Sequence, residues 1–147
     1  MDAKKGEVGV DAETFDRIIG ELVPFVKNFD LTLERLEGRE GRLRLRYTEN
    51  LVRPGGTVSG PAIMAMADLL LYAMVLRNLG MVELAVTTDL NFHFLRRPAP
   101  RDVIAEGRLL KLGRRLAMGE VTFFTDGDAE PVAHATGTYS IPPNKAG

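Results

Sequence analysis

The stretch Pro61-Ala62-Ile63-Met64-Ala65-Met66-Ala67-Asp68-Leu69-Leu70-Leu71-Tyr72-Ala73-Met74-Val75-Leu76 holds one charged side chain, Asp68, in an otherwise apolar run. Proline favours the first helical position and Gly80 suits a helix stop. The run therefore predicts a helix from Pro61 to about Asn78, with Gly60 as its N-cap. A helix apolar on nearly every side has to be surrounded, not merely laid on a surface. The run is slightly short of the roughly 20 residues a membrane span needs, and it carries an acid within. Both features point to the core of a soluble domain.

The flanking sequence supplies the surround. After the helix, strands are predicted near 84–95, 103–112, 115–125 and 131–140, broken at Arg97-Pro98-Ala99-Pro100, Leu112-Gly113-Arg114 and Asp126-Gly127-Asp128. Before it, Phe15, Ile18, Ile19, Leu22, Val23 and Val26 mark one face of a helix over 11–27, capped by Asp11 and kinked or ended early by Pro24. Leu31 and Leu33, then Leu43, Leu45 and Tyr47, predict a hairpin turning at Gly38-Arg39-Glu40-Gly41, with Arg42, Arg44 and Arg46 towards solvent. Asn50 to Ser59 reads as a loop. The economical arrangement is one α+β domain over residues 1–147, with an antiparallel sheet wrapped around the long helix and an extra N-terminal helix.

Composition narrows the function. A net charge of −1 gives no electrostatic footprint for nucleic acid or an anionic membrane. Without cysteine there are no disulfides or thiolate metal sites, and the only histidines, His93 and His134, are far apart in sequence. No metal site is expected, and no phosphate loop or dinucleotide fingerprint suggests an organic cofactor. Met1-Asp2-Ala3-Lys4-Lys5 leads into polar sequence, not an apolar leader, so a cytoplasmic location is expected.

Asp68 is the most informative residue. It lies two turns into the helix, too deep to cap it or to gain much from its dipole. Burying an unpaired carboxylate is costly, so such a group is either paired to a neighbouring strand or partner subunit, or does chemistry.

Two segments carry a family resemblance. Arg53-Pro54-Gly55-Gly56-Thr57-Val58-Ser59-Gly60-Pro61 precedes the helix with Asp68, and Thr87-Thr88-Asp89-Leu90-Asn91-Phe92 leads to Phe94-Leu95-Arg96-Arg97-Pro98-Ala99. In this order they resemble the PaaI-type acyl-CoA thioesterases of the hotdog superfamily, over about residues 40–141. The resemblance implies a hotdog fold and hydrolysis of an acyl-CoA to free acid and CoA, without metal or organic cofactor. It implies that Asp68 acts as general base towards water or as nucleophile, that the Gly60 N–H polarises the carbonyl, and that a hydroxyl matching Thr87 places the water or carboxylate. A helix N-terminus offers unpaired N–H donors suited to that role. Two positions depart from the family pattern. Ser59-Gly60-Pro61 replaces the common His-Gly-Gly, and Arg53 stands where Asn or Gln is usual. Arg53 either contacts the substrate carbonyl or pairs with an acid such as Glu49, and Ser59 lies at the same helix start.

Other residues have plainer readings. Strict alternation puts Thr87 on the face of Asp89, Asn91 and His93, so a strand-start irregularity or an interface is needed to bring it to Asp68. His93 and His134 read as surface or interface residues. Arg96, Arg97, Arg101, Lys111, Arg114 and Arg115 cluster at turns, where each is either a contact for CoA phosphates or solvated surface, and Arg97 and Arg114 are the substrate-binding candidates. Met64, Met66, Met74 and Leu70 read as core, with methionine able to adapt to acyl tails wherever the helix lines a tunnel. A hotdog dehydratase is an alternative, but the histidine it normally uses near the helix start is Ser59 here. A non-catalytic acyl-CoA-binding module is the other.

Helix geometry sets the assembly. Eight residues separate Gly60 from Asp68, roughly 12 Å along the axis. An oxyanion donor and an attacking group must both lie about 3 Å from one carbonyl. If both serve one reaction they come from different subunits. The expectation is a homodimer with composite sites, and a tetramer if such dimers pair again.

Overall fold

The computed structural model describes residues 9–143. Met1–Lys5, read above as lacking an apolar leader, lie outside them. The long helix α2 spans Gly60–Leu79 and ends where Gly80 takes a φ of 83° that side chains with a Cβ avoid. Its 20 residues have the length and composition of a membrane span, yet twelve of them are buried inside the domain. Its N-cap is Ser59, not Gly60. Ser59 is extended (φ −68°, ψ 150°) and accepts from the Ile63 N–H, which makes Gly60 the first helical residue.

Six strands form one antiparallel sheet: β1 (Leu31–Glu37), β2 (Glu40–Leu45), β5 (Val86–Phe94), β6 (Val103–Leu112), β7 (Leu116–Thr125) and β8 (Pro131–Ser140). Their order is β1-β2-β6-β7-β8-β5, so β5, next after α2 in the chain, forms an edge. The segment read as a loop contains a helical turn (Glu49–Leu51) and a two-stranded ladder of β3 (Val52–Arg53) and β4 (Thr57–Val58). The Gly55-Gly56 corner, with φ of 100° and 79°, closes that ladder. The hairpin turns on Gly38-Arg39 alone, since Glu40 and Gly41 already pair within β2. Arg42 and Arg44 do stand on the outer face, but they are ion-paired there with Glu34, Glu106, Asp102 and Asp126 rather than simply solvated.

The N-terminal helix α1 covers only Ala12–Leu22. Pro24 starts a separate 3-10 turn (Pro24–Asn28), because proline cannot donate to the preceding turn. Asp11 caps α1 by accepting from the Thr14 N–H at 2.7 Å. Both Asp16 oxygens accept from the Leu33 N–H of β1, at 3.1 and 3.2 Å, which fastens α1 to the sheet.

Glycines set how closely α2 approaches the sheet. Gly41 of β2 pairs with Gly107 of β6, and Gly119 of β7 with Gly137 of β8. A Cβ on Gly41 or Gly107 would come within 2.8 or 3.0 Å of Leu70, and one on Gly119 or Gly137 within 2.6 Å of Leu71. Leu70, Leu71 and Met74 are sealed there, each burial contributing about 1.5–3 kcal/mol. At Gly119 a Cβ would also meet the Arg108 carbonyl at 2.9 Å, and that backbone has little room to yield. Gly119→Ala should therefore cost about 1–3 kcal/mol by overpacking, read as a lower urea midpoint. An unchanged midpoint would mean that α2 is not seated this deeply.

Candidate active site

Asp68 projects from α2 towards β5 and β8. Its Oδ1 accepts a hydrogen bond from the Thr87 hydroxyl and a second from the Tyr139 hydroxyl at 2.6 Å. Its Oδ2 has no hydrogen-bond partner among the described residues. It is not completely sealed either. Asp68 itself is half-buried. The site thus combines one carboxylate oxygen held by two hydroxyls with one that no protein group holds.

Thr87 reaches Asp68 through the kind of irregularity that alternation required. On β5, Thr87 lies opposite Tyr139 and Asp89 opposite Thr138, so Thr88 has no partner and forms a bulge. The bulge turns Thr87 inward while leaving Asp89, Asn91 and His93 on the exposed face. His93 lies opposite His134, whose Nδ1 is 3.1 Å from the Thr122 hydroxyl. Neither histidine is recorded bonding Asp68.

Tyr139 was not singled out from sequence. It follows Ala133, Ala135 and Gly137 on the inward face of β8, and a large polar-tipped ring ending a row of small residues is the signal that could have found it. Tyr139 is 5% exposed and stacks on Tyr72 at 6.0 Å. Burial, then the negative charge of Asp68, holds its phenol well above the usual tyrosine range, so the hydroxyl stays a donor.

A second cluster forms at the start of α2. Gly60, Arg53, Met64, Phe94 and Arg97 line a cleft of about 460 Å³. The Gly60 N–H is at the first helical position, without an intrahelical acceptor, and no other acceptor is found among the described residues. The Phe94 ring lies beside it, 3.6 Å from where a Cβ would be. Arg53 is exposed and not ion-paired with Glu49, and Ser59 uses its backbone, not its side chain, as cap. Met66, Met74 and Leu70 are sealed core, whereas Met64 faces the cleft.

Arg96 lines this cleft beside Arg97, whereas Arg101, Lys111, Arg114 and Arg115 are not among its lining residues. Arg114 and Arg115 line a larger one, about 900 Å³, with Leu84 and Met81 at the far end of α2. Arg96 pairs with Glu130 and Arg101 with Asp128, while no ion pair is found for Arg97, Arg114, Arg115 or Lys111 among the described residues. Within one chain, then, the carboxylate cluster and the oxyanion-type donor stand about two helical turns apart. No group of three metal-ligating side chains occurs among the described residues.

Known proteins share this framework. The sequence profile described as "Thioesterase superfamily" matches residues 55–132. A crystal structure from Silicibacter sp. TM1040, named a "putative thioesterase", is 42% identical with a TM-score of 0.85, over 95% of this chain and 96% of that one. A Saccharolobus solfataricus protein named a "putative esterase" is 29% identical over 76% of this chain and 73% of its own length. A Streptococcus pneumoniae structure, named a hypothetical thioesterase with coenzyme A, has the same fold at a TM-score of 0.70 and 16% identity, over 78% of this chain and 88% of that one.

The hydrogen bonds at Asp68 predict opposite outcomes for two substitutions. Asp68→Asn keeps an oxygen that can accept from Thr87 and Tyr139 and removes a half-buried charge, so its urea midpoint should equal or exceed the parent's. Asp68→Leu leaves Tyr139 only the backbone carbonyl of residue 68 and takes from the half-buried Thr87 hydroxyl its carboxylate acceptor, so it should cost about 1–3 kcal/mol. Equal losses in the two variants would contradict this geometry.

Proposed function

Because the chain belongs to the thioesterase superfamily, we propose that it hydrolyses acyl-CoA thioesters to a free acid and CoA, with Asp68 as the reacting carboxylate. The observation that carries this reading is the unbonded Oδ2 of a carboxylate whose Oδ1 is already held by Thr87 and Tyr139. As a base, Asp68 takes a proton from water while the water oxygen bonds to the thioester carbon. The resulting oxyanion needs a donor, and the C–S bond then breaks with the proton passing to the departing thiolate. As a nucleophile, Asp68 would instead displace the CoA thiolate, breaking the C–S bond to form an anhydride. Water then opens the anhydride, releasing the acid, restoring the carboxylate and supplying the proton to the thiolate. The reading as a dehydratase is disfavoured by Ser59, since the helix start offers no histidine there.

The donor in this proposal is Gly60 of a second copy. Thr87, beside Asp68, begins β5, and Phe94, beside Gly60, ends it. If two β5 edges pair antiparallel about their midpoints, the Thr87 end of one strand meets the Phe94 end of the other. Each Asp68 is then carried towards the partner's Gly60. An edge strand offers unpaired N–H and C=O groups, and this one exposes Val86 (58%) and Phe94 (49%), which such pairing would cover. The same pairing draws the cleft holding Arg97 towards the one holding Arg114. CoA phosphates could then be held by both arginines, with Arg53 and Ser59 at the carbonyl end. Pairing of two such dimers would give a tetramer.

Free-thiol release from acetyl-, hexanoyl-, palmitoyl- and benzoyl-CoA tests the activity. Turnover of at least one thioester is expected, falling by orders of magnitude in Asp68→Asn. Silence across the panel, or near-native turnover by that variant, would contradict the proposal. Arg97→Ala and Arg114→Ala should raise KM with kcat largely intact, less so at high salt. Unchanged KM in both would return those arginines to ordinary surface.

A further inference from the structure

We infer that Tyr139 is a positioning residue for this hydrolysis: it holds Asp68 by Oδ1, leaves Oδ2 to react, and stays hydrogen-bonded in both protonation states of the carboxyl. The inference rests on the reading of Asp68 as the reacting carboxylate. Its basis is geometric. The Tyr139 hydroxyl is 2.6 Å from Asp68 Oδ1 and 3.0 Å from the backbone carbonyl of the same residue. A phenol has one proton, so it donates to one of these acceptors at a time, and rotation about the C–O bond moves the proton between them.

The two acceptors match the two states that a general base passes through. While Asp68 is ionised, the charge-assisted bond to Oδ1 is the stronger. Once Oδ2 has taken a proton from water, Oδ1 becomes a neutral carbonyl-type oxygen and the backbone carbonyl competes for the phenol. No heavy atom has to move, so the carboxyl keeps its orientation through the proton transfer. The ring is fixed to match. Tyr139 stacks on Tyr72, which donates to the Glu83 carbonyl at 3.1 Å and meets the Phe15 ring edge-on at 6.5 Å. Thr87 adds a second donor on Oδ1 but has no backbone alternative recorded at Asp68.

Tyr139→Phe keeps the ring and its stacking while removing the hydroxyl. With hexanoyl-CoA and benzoyl-CoA as probes, kcat should fall roughly 10–100-fold with KM within about twofold, the mark of an interaction used in the transition state. The acid limb of the kcat profile should move to higher pH, because a bond favouring the ionised form has been lost. The carbon-13 signal of the Asp68 carboxyl should likewise titrate at higher pH, a readout that needs no turnover. A native kcat, or a lower kcat with neither the acid limb nor the carboxyl titration displaced, would overturn the inference. Asp68→Asn run in parallel separates the two failures. If it retains turnover, the reading of Asp68 falls. If it is inactive while Tyr139→Phe is native, only the role of Tyr139 falls.

Discussion

The seat of α2 on paired glycines is the constraint on which the other features depend. Leu70 and Leu71 rest over Gly41, Gly107, Gly119 and Gly137, and any Cβ at those places would hold the helix off the sheet. Gly137 lies under Leu71, and two residues on along the same face of β8 comes Tyr139. The close approach at the glycine is what brings the phenol within 2.6 Å of a carboxylate one helical turn earlier. Core packing and the carboxylate's setting are thus one arrangement, and a change in helix height would move the hydrogen bonds as well.

That arrangement resolves the cost of an acid in an apolar helix. Asp68 is neither sealed nor free: one oxygen is bonded to Thr87 and Tyr139 and the other is left open. A structural ion pair would need a cation, and none is recorded against this carboxylate among the described residues. Two neutral donors orient the group without neutralising it, as a base or nucleophile requires.

Much of this was legible in the sequence, for physical reasons. The apolar helix with its Gly80 stop, the Asp11 cap, the Pro24 break and the four later strands all follow from local rules, and the sheet around the helix follows from the need to cover it. The ends were less secure. Gly60 proved to be the first helical residue because glycine tolerates helical geometry before proline, and the short β3–β4 ladder hid among turn residues. Thr87 was legible by type but not by direction, since a bulge at Thr88 reverses the alternation. Tyr139 and the glycine pairs depend on register between strands distant in sequence, which no single segment displays. The basic turns looked alike as sequence, yet Arg101 is ion-paired on the surface, Arg96 and Arg97 line one cleft, with Arg96 paired to Glu130, and Arg114 lines another.

A shared site requires the Gly60 donor and the Asp68 carboxylate of different copies to act together. Gly60→Pro removes the donor: proline is favoured at a first helical position, and Ser59 already has the extended backbone that precedes proline. Urea unfolding of the variant checks that α2 still forms with Pro61 crowding helical geometry at position 60. Asp68→Asn removes the carboxylate. Each variant alone should be inactive. Unfolded and refolded together in equal amounts, they should form mixed dimers with one site doubly damaged and one intact, restoring about a quarter of parental acyl-CoA hydrolysis for independent sites. Mixed dimers verified by mass but without recovered activity would contradict the shared site.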